Sequence, residues 1–114
     1  MAKDMKVGVL MDFYGQLLTE KQYDALDMYY NQDLSLAEIA DENSISRQGA
    51  RDFIKRGEKQ LNDYEEKLGL VKRFNDITAQ IAEMNKIIDS LKNDKNSADI
   101  ERLKRISSKL SEEL

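Results

Sequence analysis

Apolar residues recur every three or four positions along most of the chain, which is the period of an amphipathic helix. The first predicted helix, over residues 6–17, has the apolar residues Val7, Leu10, Met11, Tyr14 and Leu17 on one face. Thr19, followed three residues later by Gln22, is a capping-box pattern and predicts the start of a second helix. This helix should run to Tyr30 and turn Tyr23 and Leu26 inward with it.

Two further capping signals lie close together in the middle of the chain. Ser35 with Glu38 predicts a short helix, residues 41–45 predict a turn, and Ser46 is the expected cap of a long helix over residues 47–68. The expected inward residues of the long helix are Ala50, Phe53, Ile54, Gly57, Leu61, Tyr64 and Leu68. Two helices joined by a short turn are typical of a helix-turn-helix, here at residues 35–59.

The pattern changes after Gly69, the expected C-cap of the long helix. The next apolar residues alternate steps of four and three, as in a heptad seam: Leu70, Phe74, Ile77, Ile81, Met84, Ile88 and Leu91. Residues 93–97 predict a polar turn before a last helix. We expect a helix-turn-helix domain over residues 1–69 and an amphipathic tail over residues 70–114. The tail helices could form a hairpin, pack on the first domain or pair with another copy, and we expect a homodimer or higher oligomer.

Composition excludes several function classes. The 114 residues contain no cysteine, histidine or proline, so the commonest metal ligands and the usual general base are missing. Neither glycine-rich phosphate loop is present. We therefore expect no enzyme activity, no cofactor and no bound metal. No apolar run is long enough to span a membrane, so a cytoplasmic protein without membrane insertion is expected. Most aromatic residues lie on apolar stripes and should pack in the core, with Tyr29 partly exposed.

The net charge of −4 lies entirely in residues 1–64, which hold 8 basic and 12 acidic residues. Residues 47–59 reverse this, with five basic residues against two acidic ones. The candidate contact residues for nucleic acid or another partner are Ser46, Arg47, Gln48, Arg51, Lys55 and Arg56. This face could meet phosphates or base edges. It could equally be the solvated side of a packed helix, and the acidic surroundings disfavour strong binding to duplex DNA.

Residues 18–61 resemble the promoter-reading C-terminal region of bacterial sigma factors, through the capped helix, residues 35–40 and residues 45–47. The chain resembles still more closely the YlxM family of small bacterial helix-turn-helix proteins. The segments that carry this second resemblance are residues 12–14, 18–22, 29–30, 46–48, 54–56 and 64–68.

The resemblance implies an all-α protein: a sigma-like four-helix unit with a helix-turn-helix, then a tail of one long helix and a C-terminal helix. It also implies a regulatory role in the signal recognition particle pathway, with DNA or RNA, or the particle's GTPase or its receptor, as partner. The alternatives are a sequence-specific transcriptional regulator and a purely structural interaction module. Two residues depart from common helix-turn-helix patterns. Ser44 stands where glycine often permits a left-handed turn, and Gly49 lies early in the second helix.

Overall fold

The computed structural model describes residues 3–91 and 97–113, and across these ranges it contains helices and no strand. The predicted all-α class is confirmed. After α1 (Lys6–Tyr14) comes a 3-10 turn (Gly15–Leu17), followed by α2 (Glu20–Tyr30), α3 (Leu36–Asn43), α4 (Arg47–Leu68), α5 (Leu70–Leu91) and α6 (Ser97–Glu113). The predicted turn at residues 93–97 lies outside the described residues except for Ser97, which begins α6.

Side-chain caps begin three of these helices where the sequence predicts them. The Thr19 hydroxyl accepts a hydrogen bond from the backbone N–H of Gln22 at 3.2 Å. Ser35 and Glu38 form the reciprocal capping box, with both hydrogen bonds at 3.1 Å. Each cap satisfies helix N–H groups that have no partner within the helix.

The core of the compact unit Met1–Val71 is built around α4, which contacts α1, α2 and α3. The buried apolar residues of this core are Val7, Leu10, Met11, Tyr14, Leu18, Ala25, Leu26, Tyr29, Ile39, Ala40, Ala50, Ile54 and Leu61. At Gly57 an added Cβ would lie 2.8 Å from the Leu26 Cδ1 atom. A missing side chain therefore allows α2 to approach α4 closely at this point.

Four predictions about the inner faces are wrong. Leu17, Tyr23 and Leu68, expected inside, are 54%, 39% and 51% exposed, whereas Tyr29, expected to be partly exposed, is buried. Leu17 belongs to the 3-10 turn, whose shorter period rotates it away from the α1 stripe. Leu68 is the last residue of α4, beyond the part of the helix that the core covers. The Tyr29 ring packs edge-on against Tyr30.

The turn of the helix-turn-helix is shorter than predicted. Residues 41–43 continue α3, so only residues 44–46 separate α3 from α4. Ser44 ends α3 in the left-handed conformation, with φ 55°, and its N–H bonds back to Ala40 and Asp41. Gly69 ends α4 in the same conformation, with φ 61°, which confirms the predicted C-cap.

The start of α5 is capped by two side chains, one from α1 and one from the last turns of α4. The buried Tyr14 hydroxyl donates to Glu65 Oε1 at 2.5 Å and accepts from the N–H of Leu70 at 3.0 Å. The same Glu65 oxygen accepts from the N–H of Val71 at 3.0 Å. We name this arrangement of Tyr14, Glu65, Leu70 and Val71 the tertiary cap.

The second compact unit, Lys72–Leu114, contains the remainder of α5 and all of α6. The two helices run antiparallel, because Arg73 pairs with Glu113 and Glu83 pairs with Arg102. In the described part of this unit α5 and α6 therefore pair as a hairpin, one of the three alternatives, and pairing with another copy stays a prediction. A compact unit is not by itself an independently folding domain, so the division into residues 1–69 and 70–114 stays a prediction.

The hairpin does not use the whole predicted seam. Ile87, which is not a seam residue, is the buried residue of α5, and Ile106 is buried on α6. Seam residues Phe74, Ile81 and Ile88 are instead 56%, 46% and 43% exposed. The packing face is shifted round the helix from the predicted one.

Candidate nucleic-acid interface

The predicted contact residues form an exposed surface at the N-terminal half of α4. The six side chains of this surface, which we name the α4 surface, are Ser46, Arg47, Gln48, Arg51, Lys55 and Arg56. The opposite side of the helix is held in the core by Ala50, Ile54 and Gly57. Burial of that side fixes the rotation of α4 and so keeps the α4 surface in solvent.

All four cations of this surface lack an ionic partner among the described residues, and three of them, Arg47, Arg51 and Lys55, also have no ring contact there. They are spaced four residues apart, which places them in a row about 12 Å long on a helix that rises 1.5 Å per residue. Unpaired cations do not have to break an internal ion pair before they meet an anion. This row is the part of the α4 surface best suited to bind phosphates.

The other three predicted residues already have partners within the helix. Ser46 accepts a hydrogen bond from the N–H of Gly49 at 3.0 Å and so acts as the cap of α4. Gln48 donates to Asp52 at 2.9 Å, and the Arg56 guanidinium lies 5.8 Å from the centroid of the Phe53 ring. Their role as contact residues stays a prediction, and Gln48 would have to leave Asp52 before it could read a base.

A side chain at Gly49 would lie close to the cap of α4 without excluding it, since Glu38 carries a side chain at the same position relative to the Ser35 cap. A Cβ at this position would lie 3.2 Å from the Ser46 hydroxyl oxygen and 3.7 Å from the Ile45 Cβ atom. Gly49 lowers the helix propensity of α4 by about 1 kcal/mol relative to alanine. The Ser46 cap acts in the opposite direction and contributes about 0.5–2 kcal/mol.

The neighbouring helix α3 carries the opposite charge. Glu38, Asp41 and Glu42 are all exposed, and α3 contains no basic residue. In helix-turn-helix complexes the first helix crosses the nucleic-acid backbone while the second enters the groove. Acidic side chains on α3 would repel that backbone, so α4 is the helix of the motif better suited to meet phosphates. Sequence reasoning recognised an acidic half but did not locate the acids on α3.

The described residues lack two other kinds of functional feature. They contain no group of three or more Asp, Glu, His or Cys side chains that could hold a metal ion. None of the described helices combines the length and the apolar composition needed to cross a membrane.

A capped short helix, a three-residue turn and a longer helix with an exposed basic row together define a helix-turn-helix protein. A family profile described as "Putative helix-turn-helix protein, YlxM / p13 like" matches residues 1–106, and the chain belongs to this family, UPF0122. The predicted family resemblance is therefore confirmed.

Individual relatives match over nearly their whole length. The chain is 46% identical over 104 residues to a UPF0122 protein of Clostridium kluyveri, which covers 91% of this chain and 94% of the relative. It is 45% identical over 113 residues to a UPF0122 protein of Acetivibrio thermocellus, covering 98% and 97%. A third relative, from Desulforamulus reducens, is 39% identical over 107 residues, covering 94% and 92%.

Proposed function

We propose that this protein is a regulatory nucleic-acid-binding protein that contacts phosphates through the α4 surface. The observation that carries the proposal is the row of Arg47, Arg51 and Lys55, which is exposed and has no ion-pair partner among the described residues. Membership of a helix-turn-helix family supports it. The role is that of a binding protein, and the proposal involves no catalytic step and no cofactor.

Salt dependence of binding tests the row directly. Each phosphate contact contributes a slope of about −0.9 in log K against log salt on duplex DNA. Replacing Arg51 or Lys55 by alanine should make the slope shallower by about that amount. Lys67→Ala is the matched control, since Lys67 is exposed on the last turn of the same helix, about 18 Å from Lys55. If the α4 variants and the control show the same slope, the α4 surface is not the contact.

Removing negative charge from α3 should strengthen binding to nucleic acid. Glu42→Gln takes away one exposed carboxylate beside the turn and should tighten binding by a few-fold at low salt, because repulsion of phosphate is reduced. Glu20→Gln, at the start of α2, removes the same charge elsewhere on the unit and serves as the comparison.

We propose the signal recognition particle pathway, in the cytoplasm, as the setting of this activity. The support is the family resemblance and the acidic α3, which makes strong binding to duplex DNA less favourable. A pull-down with the particle's RNA, its GTPase and the receptor at physiological salt is the test. Absence of binding to all three would remove this setting.

The alternative is a sequence-specific DNA-binding regulator, which the basic row on a second helix favours. A binding selection on genomic DNA distinguishes it. An enriched sequence that is lost when Arg47, Gln48 and Arg51 are changed to alanine would support it, and no enrichment would refute it.

We also propose that the chain forms a homodimer through α5. The exposed residues Phe74, Ile81 and Ile88 are seven positions apart and form a straight stripe about 21 Å long. Beside it lie uncharged residues, among them Thr78, Ala82 and Asn85. Among the described residues, charged neighbours occur only at the two ends of the stripe, at Arg73 and Asp89. The uncharged flanks between them suit a second copy, because two identical faces can meet there without repulsion between like charges.

Oligomeric state in solution tests this face. Ile81→Glu should turn the dimer into a monomer in sedimentation velocity, because it places two like charges in the apolar contact. Ala79→Glu adds the same charge to an exposed position on another side of α5 and should leave the dimer intact. A wild-type chain that sediments as a monomer at high concentration would refute the proposal.

A further inference from the structure

A second concentration of positive charge lies in the tail, although the net charge of the tail is zero. Residues 65–114 hold ten basic and ten acidic residues, but residues 102–109 contain four cations and no acid. In α6, Arg102 pairs with Glu83 and Asp99, and Lys104 pairs with Glu101. Arg105 and Lys109 have no ion-pair partner in the part of the chain that the structure describes.

Arg105 and Lys109 are one helical turn apart and line two neighbouring grooves. One groove, of about 400 Å³, lies between α5 and α6 and also contains Gln80 and the Glu83–Arg102 pair. The other, of about 260 Å³, contains Ser108. The same two cations therefore face two spaces, each large enough for a phosphate group.

A buried polar atom in the first groove lacks a partner. The Oε1 atom of Gln80 is buried and makes no hydrogen bond within the described residues. Leaving such a group unsatisfied costs about 1–3 kcal/mol. Gln80 therefore adds a polar side chain, with an unsatisfied oxygen, to the lining of the first groove.

We propose that Arg105 and Lys109 form a second phosphate-binding surface, and that it takes the sugar-phosphate backbone of a nucleic acid. Arginine binds phosphate through two parallel N–H groups, lysine adds a point charge, and two adjacent grooves fit successive phosphates of one strand. Ser108 supplies a further donor. Glu112 lines the second groove and confines the anion to the end nearer Arg105.

The chemistry around the pair favours a nucleic acid over a membrane. A helix that lies on a membrane places a broad apolar face beside its cations. Here the pair shares the second groove with polar side chains alone, and the single apolar residue that lines the first groove, Ile106, is buried. The inference rests on the proposed function to the extent that both take a nucleic acid as ligand.

The experiment measures binding of a labelled RNA duplex and a DNA duplex, each of about 20 base pairs, to the full chain by fluorescence anisotropy from about 50 to 200 mM salt. The variant R105A/K109A is compared with K67A/K86A, which removes two exposed lysines of α4 and α5. We expect the slope for duplex DNA to become shallower by about 1.8 and affinity at low salt to fall about ten-fold, against little change in the control.

Two further variants keep the outcomes separate. R105K retains the charge and should retain the slope, which excludes a folding defect as the cause, and circular dichroism checks the helix content of each variant. R51A/K55A reports on the α4 surface. If R105A/K109A behaves like the control while R51A/K55A loses binding, the tail proposal is wrong and the proposed function stands. If only R105A/K109A loses binding, the tail binds and the α4 proposal is wrong. A wild-type chain that binds neither duplex overturns both.

Discussion

The tertiary cap yields a prediction for the variant Tyr14→Phe. The change keeps the buried ring and removes only the hydroxyl, so packing in the core is preserved. Two hydrogen bonds are lost: the one donated to the Glu65 carboxylate and the one accepted from the Leu70 N–H. The N–H of Val71 keeps its bond to Glu65.

The magnitude follows from the charges of the partners. A hydrogen bond to a charged group contributes about 1.5–3 kcal/mol and a neutral one about 1 kcal/mol. Because Phe is more readily buried than Tyr, part of the loss is offset. We expect the free energy of unfolding to fall by about 2–3 kcal/mol.

The assay is urea unfolding followed by circular dichroism, with Tyr23→Phe as the matched control. Tyr23 is 39% exposed, and its hydroxyl makes no hydrogen bond within the described residues. The control should therefore change stability by less than about 0.5 kcal/mol. Equal effects of the two variants would show that the cap does not stabilise the fold.

The same group predicts a loss of stability at alkaline pH. Burial, followed by the hydrogen bond to Glu65, raises the pKa of Tyr14 above its ordinary value near 10, and the pKa of Tyr30 is raised in the same direction by burial and Glu58. A raised pKa in the folded state stabilises the protein below pH 10 and the effect is lost as the pH rises further. Tyr14→Phe should therefore weaken the pH dependence above about pH 10 but not abolish it, because Tyr30 remains.

Three further substitutions test close contacts and caps. Gly57→Ala should lower the free energy of unfolding by about 1–3 kcal/mol, because the new Cβ overlaps Leu26, and calorimetry measures it. Gly8→Ala is the control, since a Cβ there meets nothing within 4 Å and should be neutral or stabilising by up to about 1 kcal/mol. Ser44→Gly should stabilise by about 1 kcal/mol in urea unfolding, because glycine adopts a positive φ without strain, and a destabilised variant would contradict this account. Ser46→Ala should cost about 0.5–2 kcal/mol in thermal unfolding, and no change would mean that its hydroxyl does not cap α4.

Local interactions explain why the helix starts could be predicted from sequence. The caps at Thr19, Ser35 and Ser46 each involve residues three positions apart, so the signal and the structure lie in the same few residues. The bounds of the turn between α3 and α4 were harder to predict from sequence. The polar side chains of residues 41–43 suggested a turn, yet α3 continues through them because Ser44 accepts the left-handed conformation.

Contacts between distant segments could not be predicted in the same way. Periodicity identified an apolar stripe on α5 but not which flank of that stripe α6 would cover, so Ile87 was missed. The candidate contact residues were found because they are polar on an otherwise amphipathic helix. Their division into paired and unpaired side chains depends on rotamers, and no spacing rule specifies these.

The tertiary cap also makes the order of folding events accessible to measurement. The amide hydrogens of Leu70 and Val71 are bonded to side chains of residues 14 and 65, not to carbonyls of their own helix. The Leu70 amide can therefore be protected by its bond to Tyr14 only after α1 has docked on α4, whereas the Val71 amide needs only Glu65 of α4. Hydrogen exchange at the Leu70 amide reports that docking, across 56 residues of chain, and exchange at the Val71 amide provides the internal reference.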